Sequence, residues 1–227
     1  MEIYSEAWAA NYERLANASI AGREGLYRLC KAYLMNLPDD ARVLVIGCGT
    51  GEELVVLAKA LPRASFVAID PARPMLALCA KRVADEGLSA RIAIRNTTLA
   101  DFTPPHDFDA ATAILVSQHL SPDAAARAFF QRIAALLRPG GLLYSADLHI
   151  GAGQDRDSLL RLWRGNVIAS GLEPEVADGM LRKIETEIRP RDEAAITDFL
   201  RNAGFTNILM PYRSLIYGAW AAEKTAA

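Results

Sequence analysis

The sequence predicts an α/β fold in which helices cover both faces of a doubly wound, mostly parallel sheet. Short apolar runs alternate with helical stretches of ten or more residues, the pattern of repeated strand–helix–strand units. The first apolar run, ARVLVIG, leads directly into a glycine-rich turn. With 227 residues, of which 52% are hydrophobic, the chain can bury one full core, so we expect a single domain over residues 1–227.

Helices and strands are expected to alternate from the N-terminus to residue 150. Aromatic and apolar residues recur at helical spacing within residues 4–37, which predicts two helices there. The turn Pro139-Gly140-Gly141 is expected to precede the fifth strand. The predicted strands are ARVLVIG, SFVAID, ARIAIRN, FDAATAILV and LLYSADLHI, and the helices between them cover residues 52–61, 74–86 and 122–137.

The sequence changes character after the fifth strand. Residues 151–189 are charged and show helical spacing, so we expect a helical insertion there. Another helix is expected over residues 190–201, followed by two strands, FTNILMP and SLIYGAWAAEK, around Pro211-Tyr212. The insertion and the helices of residues 1–37 are predicted to form a lid over the carboxyl edge of the sheet.

Composition and charge exclude several classes of partner. The formal net charge is -2 and the basic residues are scattered, so nucleic acid is not expected as a partner. No segment approaches ~18 uninterrupted apolar residues and no signal peptide is evident, which favours a cytoplasmic protein without a membrane partner. Cys30, Cys48 and Cys79 lack CxxC spacing, so neither a disulfide framework nor a metal site is indicated.

The glycine-rich turn is the strongest functional signal in the sequence. Gly47, Gly49 and Gly51 stand where the first strand becomes a helix, and ligands of open α/β sheets lie at that edge. Residues without a Cβ let a ligand approach the main chain. The dinucleotide fingerprint needs a third small residue where Glu52 stands, and no phosphate-binding G-K-[ST] follows. Glu52 and Glu53 would repel a phosphate, but they can accept hydrogen bonds from a cation or an amine.

Asp70 closes the second strand about 20 residues after the glycines. An acid at that position can accept hydrogen bonds from ribose hydroxyls. The alternative for the glycines and Asp70 is a purely structural turn and a helix cap. Their joint placement favours a ligand that carries a ribose and no phosphate.

Taken in order, these motifs resemble those of the class I S-adenosylmethionine-dependent methyltransferases along nearly the whole chain. The resemblance implies a Rossmann-like, seven-stranded sheet with an antiparallel last strand. It also implies S-adenosyl-L-methionine as the cofactor and S-adenosyl-L-homocysteine as the product. The segments that carry it are VLVIGCGTGEE, VAIDPARPML, TTLADF, FDAATAILVSQHL, LLRPGGLLYSADL and NAGFTNI.

The resemblance implies roles for individual residues. The backbone of Gly47, Gly49 and Gly51, with Cys48 as a small filler between them, would meet the methionine part of the cofactor, and Asp70 would meet its ribose. The other implied cofactor contacts are Pro71 and Met75 at the adenine, Thr98 and Leu99 at the adenine edge, Ile114 along the methionine chain and Arg23 at its carboxylate.

Within this class the chain looks most like the carboxy-S-adenosylmethionine synthase branch and its generic relatives. The N-terminal helices and the VSQHL, NAGF and YRSLIYGAW segments carry this likeness. That branch holds its extra carboxylate with an arginine in the helix before the AGF segment. Phe199 stands at the matching position here.

Two histidines are weak candidates for a catalytic base. His119 follows the fourth strand and His149 follows the fifth, and a histidine near its ordinary pKa can accept a proton from a hydroxyl. The alternative for each is structural: a helix-start residue for His119 and a backbone-bonded loop residue for His149. Tyr12, Tyr212 and Arg213 are the candidates for substrate binding.

The sequence therefore predicts an S-adenosylmethionine-dependent methyltransferase that acts on a small-molecule acceptor. The alternatives are a carboxy-S-adenosylmethionine synthase-like enzyme, a catalytically silent cofactor-binding module and a nicotinamide reductase, the last disfavoured by Glu52. The acceptor and the oligomeric state stay open at this point, and a homodimer is among the possibilities.

Overall fold

The computed structural model describes residues 6–188 and 190–226, without the side chains of residues 6–8 and 10. Residues 1–5 of the predicted lid and residue 189 of the predicted insertion lie outside the described residues.

The strands form one continuous sheet. In chain order they are β1 (Arg42–Ile46), β2 (Ser65–Asp70), β3 (Ile92–Asn96), β4 (Phe108–Ile114), β5 (Leu137–Ile150), β6 (Arg191–Asp192), β7 (Phe205–Ser214) and β8 (Tyr217–Lys224). Their order in the sheet is β3-β2-β1-β4-β5-β8-β7, and β6 pairs with the end of β5. Neighbours among β1 to β5 are parallel, whereas β8 runs antiparallel between β5 and β7. The predicted parallel sheet with an inserted antiparallel last strand is confirmed.

Helices precede, separate and follow the parallel strands in the described part of the chain, as predicted. They are α1 (Glu6–Ser19), α2 (Arg23–Leu34), α3 (Glu52–Ala60), α4 (Arg73–Asp85), α5 (Asp123–Leu136), α6 (Arg156–Ala169), α7 (Pro174–Lys183) and α8 (Glu193–Asn202). Short 3₁₀ turns cover Ser89–Arg91 and Ser117–His119, and a π-helical turn, Ile184–Ile188, follows α7. The segment predicted as an insertion is therefore helical over α6, α7 and the π-helical turn.

Strand β1 shows how the core is divided between the two faces of the sheet. Its four apolar residues are at most 2% exposed, because helices cover both faces. Val43 and Val45 pack into one apolar cluster, whereas Leu44 and Ile46 pack into the other, as the alternation of side chains along a strand requires. The carboxyl end of β1 is thereby held rigidly, and the glycine-rich turn starts from that fixed point.

Three details of the strands differ from the prediction. Strand β5 begins at Leu137, so the turn Pro139-Gly140-Gly141 is a bulge within the strand, where the register against β4 shifts. Strand β7 continues through Pro211-Tyr212 to Ser214; β7 pairs only with β8, so a proline without an N–H is tolerated on its free side. The short strand β6 was not predicted, since two residues carry no periodic signal.

Among the described residues, the longest and most apolar helices fall short of what a membrane span requires.

Candidate functional site

A cleft of about 300 Å³ opens at the carboxyl edge of the sheet. Its walls come from α1 and α2, the glycine-rich turn after β1, the first turn of α3 and the end of β4. Strand order reverses at β1, with β2 on one side and β4 on the other. This is the topological switch point, where open α/β sheets bind their ligands.

All three glycines of the turn have positive φ, at 65° for Gly47, 52° for Gly49 and 83° for Gly51. A Cβ at Gly47 would lie 2.5 Å from Cγ2 of Val116, and one at Gly51 would lie 2.8 Å from Sγ of Cys79. Close packing of the protein itself therefore requires glycine at these two positions. A Cβ at Gly49 would meet only the methyl end of a methionine, at 3.4 Å, so its main chain is the one left accessible to a ligand.

Asp70 links the end of β2 to the glycine-rich turn. Its Oδ2 accepts a hydrogen bond from the Gly49 N–H at 3.0 Å, and its Oδ1 accepts one from the Ala72 N–H at 2.8 Å. The Asn96 side chain donates to the carbonyls of Asp70 and Pro71 and fixes this strand end from β3. Burial raises the pKa of Asp70, while the two backbone donors lower it. The carboxylate is thus oriented before any ligand arrives.

The positions implied for the adenine lie beside this strand end. Met75 and Leu99 are buried, and the Met75 methyl group packs against Gly49. The Thr98 hydroxyl donates to Oδ2 of Asp101 at 2.6 Å and accepts from the Asp101 N–H. The structure therefore brings an exposed acid, Asp101, into this loop, which sequence reasoning missed because Asp101 stands three positions further along the chain.

Arg23 enters the cleft from the start of α2 and is only 5% exposed. Its guanidinium group contacts the Glu52 carboxylate at 2.7 Å, the Tyr27 hydroxyl at 2.7 Å and Oδ1 of Asn17 at 2.8 Å. Tyr12 and Ile114 line the same cleft. The structure thus brings Arg23 and Tyr12 to the glycine-rich turn.

Three buried side-chain atoms in the cleft lack a hydrogen-bond partner among the described residues: Nε of Arg23, Oε2 of Glu52 and Oε1 of Glu53. Oε2 of Glu52 still lies 2.7 Å from the Arg23 guanidinium as an ion pair. Glu53 is 7% exposed, and burial raises its pKa to about 7 against the opposing effects of Thr112 and Arg23. Buried polar groups in native proteins are normally satisfied, so these atoms fit a polar ligand in the cleft.

Helix α1 closes one side of the cleft. Oε1 of Glu13 accepts hydrogen bonds from the Thr50 hydroxyl, at 2.8 Å, and from the Arg82 guanidinium of α4. At the other end of α1, Trp163 Nε1 of α6 donates to the Ser19 carbonyl at 3.0 Å. The contacts of Glu13 were not predicted from the sequence, because a polar residue on an amphipathic helix is expected to face solvent.

Cys48 is buried in the glycine-rich turn, and a hydrogen bond with Cys79 and burial raise the pKa of its thiol. A protonated, enclosed thiol is a poor nucleophile, which agrees with the expected filler role.

The two candidate histidines have different environments. His119 ends the 3₁₀ turn after β4 and is exposed; partial desolvation lowers its pKa, with Glu187 opposing and Lys183 reinforcing that effect. His149 lies within β5 and is fully buried, with its ring edge-on to Trp220 at 5.4 Å between centroids. The structure therefore contradicts the expectation that His149 faces a substrate, because β5 extends one residue beyond it.

The three substrate-binding candidates do not form one site. Tyr12 lines the cleft. Tyr212 is buried, and its hydroxyl donates to the Ala21 carbonyl at 2.8 Å, so it ties β7 to the turn between α1 and α2. Arg213 forms an ion pair with Glu193 at the start of α8. The expectation that Tyr212 contacts substrate is wrong, because its side chain is buried and its hydroxyl is bonded to the main chain of Ala21.

A second, more open groove of about 900 Å³ lies beyond the end of β4. Leu120, Ser121, Glu187 and Arg191 line it. Arg191 donates to the carbonyls of Ser117 and Leu120 and so fixes the 3₁₀ turn that carries His119.

Three features define the Rossmann-like fold of class I S-adenosylmethionine-dependent methyltransferases. They are the order of the strands in the sheet, the glycine-rich turn after β1 and Asp70 at the end of the neighbouring strand β2. Comparison with known proteins agrees. The family model described as a methyltransferase domain matches residues 44–143. A ubiquinone biosynthesis O-methyltransferase of Bradyrhizobium sp. (strain ORS 278) is 34% identical over 120 residues, which are 52% of this chain and 44% of that protein.

Solved structures share the fold. Phosphoethanolamine N-methyltransferase 2 of Haemonchus contortus, solved with S-adenosyl-L-methionine, has a TM-score of 0.69 at 17% identity and covers 98% of this chain and 58% of its own. The [4+2]-cyclase SpnF has a TM-score of 0.64 at 18% identity, covering 88% of this chain and 81% of its own. The chain spans less than half the length of the first curated relatives it matches. The matches to the methyltransferase-domain model and to the solved structures support the fold of the class I S-adenosylmethionine-dependent methyltransferases for this chain.

Proposed function

We propose that this chain transfers a methyl group from S-adenosyl-L-methionine to a hydroxyl group of a small-molecule acceptor. One observation carries the proposal: the Gly49 main chain, hydrogen-bonded to Asp70, faces a cleft at the switch point together with Arg23. The hydroxyl as acceptor is supported by the O-methyltransferase relative.

Different residues of the cleft contact different parts of the cofactor in this proposal. The bound cofactor supplies a methyl group already activated by its sulfonium. Asp70 accepts hydrogen bonds from the ribose hydroxyls, and Arg23 holds the amino-acid carboxylate. Tyr12, from α1, excludes water from the side of the cleft where the methyl group is transferred. Holding donor and acceptor in line is the main contribution of the protein, and such positioning is worth ~7–11 kcal/mol.

The second groove is the proposed acceptor site. Its lining begins at Leu120, the residue after His119, on the segment that follows Ile114 of β4 and the cofactor cleft. A lowered pKa keeps the His119 imidazole neutral at pH 7, so it can take the proton from an acceptor hydroxyl. The Arg213–Glu193 ion pair is not part of this site in the proposal.

The N-terminal helices and the helical insertion act as the lid. The hydrogen bonds of α1 support this proposal, because they join α1 to the glycine-rich turn, to α4 and to α6. Limited proteolysis with and without S-adenosyl-L-homocysteine tests it: protection by the ligand is expected, and identical cleavage would contradict a lid.

Calorimetric titration of the purified chain with S-adenosyl-L-homocysteine, S-adenosyl-L-methionine and NADH tests cofactor choice. The expected result is binding of the two adenosyl compounds and not of NADH. Turnover is then measured as release of S-adenosyl-L-homocysteine with catechols, dihydroxybenzoates and simple amines, with Asp70→Ala as the inactive control. Binding of NADH alone would overturn the proposal.

Cofactor binding without turnover of any acceptor would favour a catalytically silent cofactor-binding module. A synthase-like enzyme would carry a cofactor heavier by one carboxylate, which mass spectrometry of the copurified ligand detects. Phe199, at the position of that branch's arginine, packs between the guanidinium groups of Arg127 and Arg191, at 5.2 and 5.8 Å from its centroid. The homodimer and the cytoplasmic location stay predictions.

A further inference from the structure

The segment that follows β4, residues 115–120, connects the two clefts along the chain. Ile114, just before it, lines the cofactor cleft, and Leu120 at its end lines the second groove. Leu115 begins the segment with a φ of 61°, and its N–H donates to the Ala146 carbonyl of β5 at 2.7 Å. A strained backbone conformation persists only where surrounding contacts determine it. Neighbouring elements must therefore fix this segment.

Asp147 of β5 supplies the central contacts. Its residue is fully buried, and its Oδ2 accepts a hydrogen bond from the Ser117 hydroxyl at 2.6 Å. Its Oδ1 accepts one from the Gln118 N–H at 2.8 Å. From β6, Arg191 donates to the Ser117 carbonyl at 3.0 Å. The 3₁₀ turn after β4 is therefore held by buried or partly buried hydrogen bonds from two strands.

The side chain of Gln118 passes this constraint to His119. Gln118 is 8% exposed, and its Oε1 accepts a hydrogen bond from the Leu148 N–H at 3.2 Å. The other end of the amide, Nε2, lies 3.4 Å from Nε2 of His119. An amide nitrogen can only donate, so the histidine nitrogen that faces it has to be the unprotonated one. At 3.4 Å this hydrogen bond is weak, and an acceptor hydroxyl can replace it.

We propose that Gln118, anchored through Asp147, positions His119 and sets its neutral tautomer, with the proton on Nδ1 and the lone pair on Nε2. Gln118 and Asp147 are positioning residues, because they act through His119. This inference rests on the proposed function, in which His119 takes the acceptor's proton. The hydroxyl proton then moves to Nε2 of His119 while the hydroxyl oxygen bonds to the methyl group. The sulfur–methyl bond breaks with its electron pair left on sulfur, which gives S-adenosyl-L-homocysteine.

The test reads the tautomer of His119 by NMR of the ring nitrogens in chain labelled with ¹⁵N-histidine. The chain has three histidines, and the variant His119→Gln assigns the signals of His119 by their loss. At about pH 8, where imidazole is neutral and carboxylates are ionised, the wild-type signals should show the proton on Nδ1. Gln118→Glu keeps an acceptor for the Leu148 N–H but places a carboxylate oxygen opposite His119. The proton should therefore move to Nε2 in this variant.

Ser145→Ala is the matched control. It removes another buried hydrogen bond between β5 and β4, from the Ser145 hydroxyl to the Ala113 carbonyl at 3.3 Å, without touching the 3₁₀ turn. The tautomer of His119 should stay as in wild type. A proton on Nε2 in the wild-type chain would overturn the inference, and so would the same tautomer in wild type and Gln118→Glu.

The contribution of Asp147 is tested separately. Asp147→Ala removes both acceptor oxygens and should give His119 a mixture of tautomers, whereas Asp147→Asn keeps the shape and one acceptor and should restore the wild-type tautomer. A wild-type tautomer in Asp147→Ala would contradict the role of Asp147. If Asp147→Ala does not fold, the spectra of wild type and Gln118→Glu still decide the inference.

Kinetics provide a second readout. With an acceptor that the wild-type chain methylates, Gln118→Glu should lower kcat by about 100-fold and leave the KM for the cofactor unchanged, because the base then presents a proton to the acceptor. An unchanged kcat would contradict the inference. Absence of S-adenosyl-L-homocysteine release with every acceptor would overturn the proposed function instead. The NMR result does not depend on turnover, so the two failures are distinguishable.

Discussion

Replacing Gly47 by alanine places a methyl group 2.5 Å from Cγ2 of Val116, on a backbone with φ at 65°. The left-handed conformation alone costs an L-residue ~1–2 kcal/mol. The collision adds ~1–3 kcal/mol, because Val116 is β-branched and cannot rotate freely out of the way. We therefore expect Gly47→Ala to lower the free energy of unfolding by about 2–5 kcal/mol.

A matched control separates the two contributions. Gly87 has nearly the same φ, 68°, and a Cβ there would meet nothing within 4 Å. Gly87→Ala should therefore cost only the backbone contribution, ~1–2 kcal/mol. In a Val116→Ala background both methyl groups of Val116 are gone, so Gly47→Ala should cost no more than Gly87→Ala does.

Urea denaturation of the single and double variants measures these free energies. Binding of S-adenosyl-L-homocysteine, measured in parallel, should weaken in Gly47→Ala and partly recover in the double variant. Equal costs for Gly47→Ala and Gly87→Ala in the wild-type background would refute the reasoning. The turn would then tolerate a side chain, and glycine there would need another explanation.

Other perturbations have equally specific outcomes. Burial raises the pKa of Asp147 to about 7, so the folded protein holds that proton more tightly than the unfolded chain does. The free energy of unfolding should fall as pH rises from about 4 to about 7, and it should fall less in Asp147→Asn, as followed by urea denaturation; an unchanged slope would contradict this. Glu13→Gln should weaken the contacts to Thr50 and Arg82 and speed protease cleavage within α1, with unchanged cleavage as the contrary result. Asp70→Ala should weaken S-adenosyl-L-homocysteine binding by at least about tenfold in calorimetry. Asp70→Asn keeps one acceptor oxygen, so its loss of affinity should be smaller. Equal losses of affinity in the two variants would count against ribose binding by Asp70.

Local pattern was enough to predict the strands and helices that carry the cleft. The apolar run of β1 required two covered faces, and the alternation with helices required parallel neighbours. Prediction failed where contacts with distant parts of the chain determine the local structure. Strand β5 includes the Pro139-Gly140-Gly141 bulge because β4 pairs with it both before the bulge, at Leu137, and after it, from Leu142. Tyr212 became a structural residue because its hydroxyl donates to the Ala21 carbonyl, far away in the sequence.

In the candidate site, too, some residues could be predicted from the sequence and others could not. The glycines and Asp70 were found from the sequence, because the backbone conformation and the strand end that they serve are local features. Glu13 and Asp101 were not assigned roles, since their contacts depend on which other residues lie nearby. Leu115 shows the same limit: its φ of 61° at the end of β4, a strained value for leucine, has no signature in the sequence.

The sequence by itself determined the order of elements, the parallel sheet and the bare turn at the switch point, because periodicity and glycine placement act within a few residues. Only the tertiary structure decided which polar groups are satisfied. It placed Glu52 against Arg23 and buried Glu53 beside Thr112, although the two acids are neighbours in the chain. The physical reason is that hydrogen bonding and desolvation depend on what packs against a side chain, and packing partners come from distant parts of the chain.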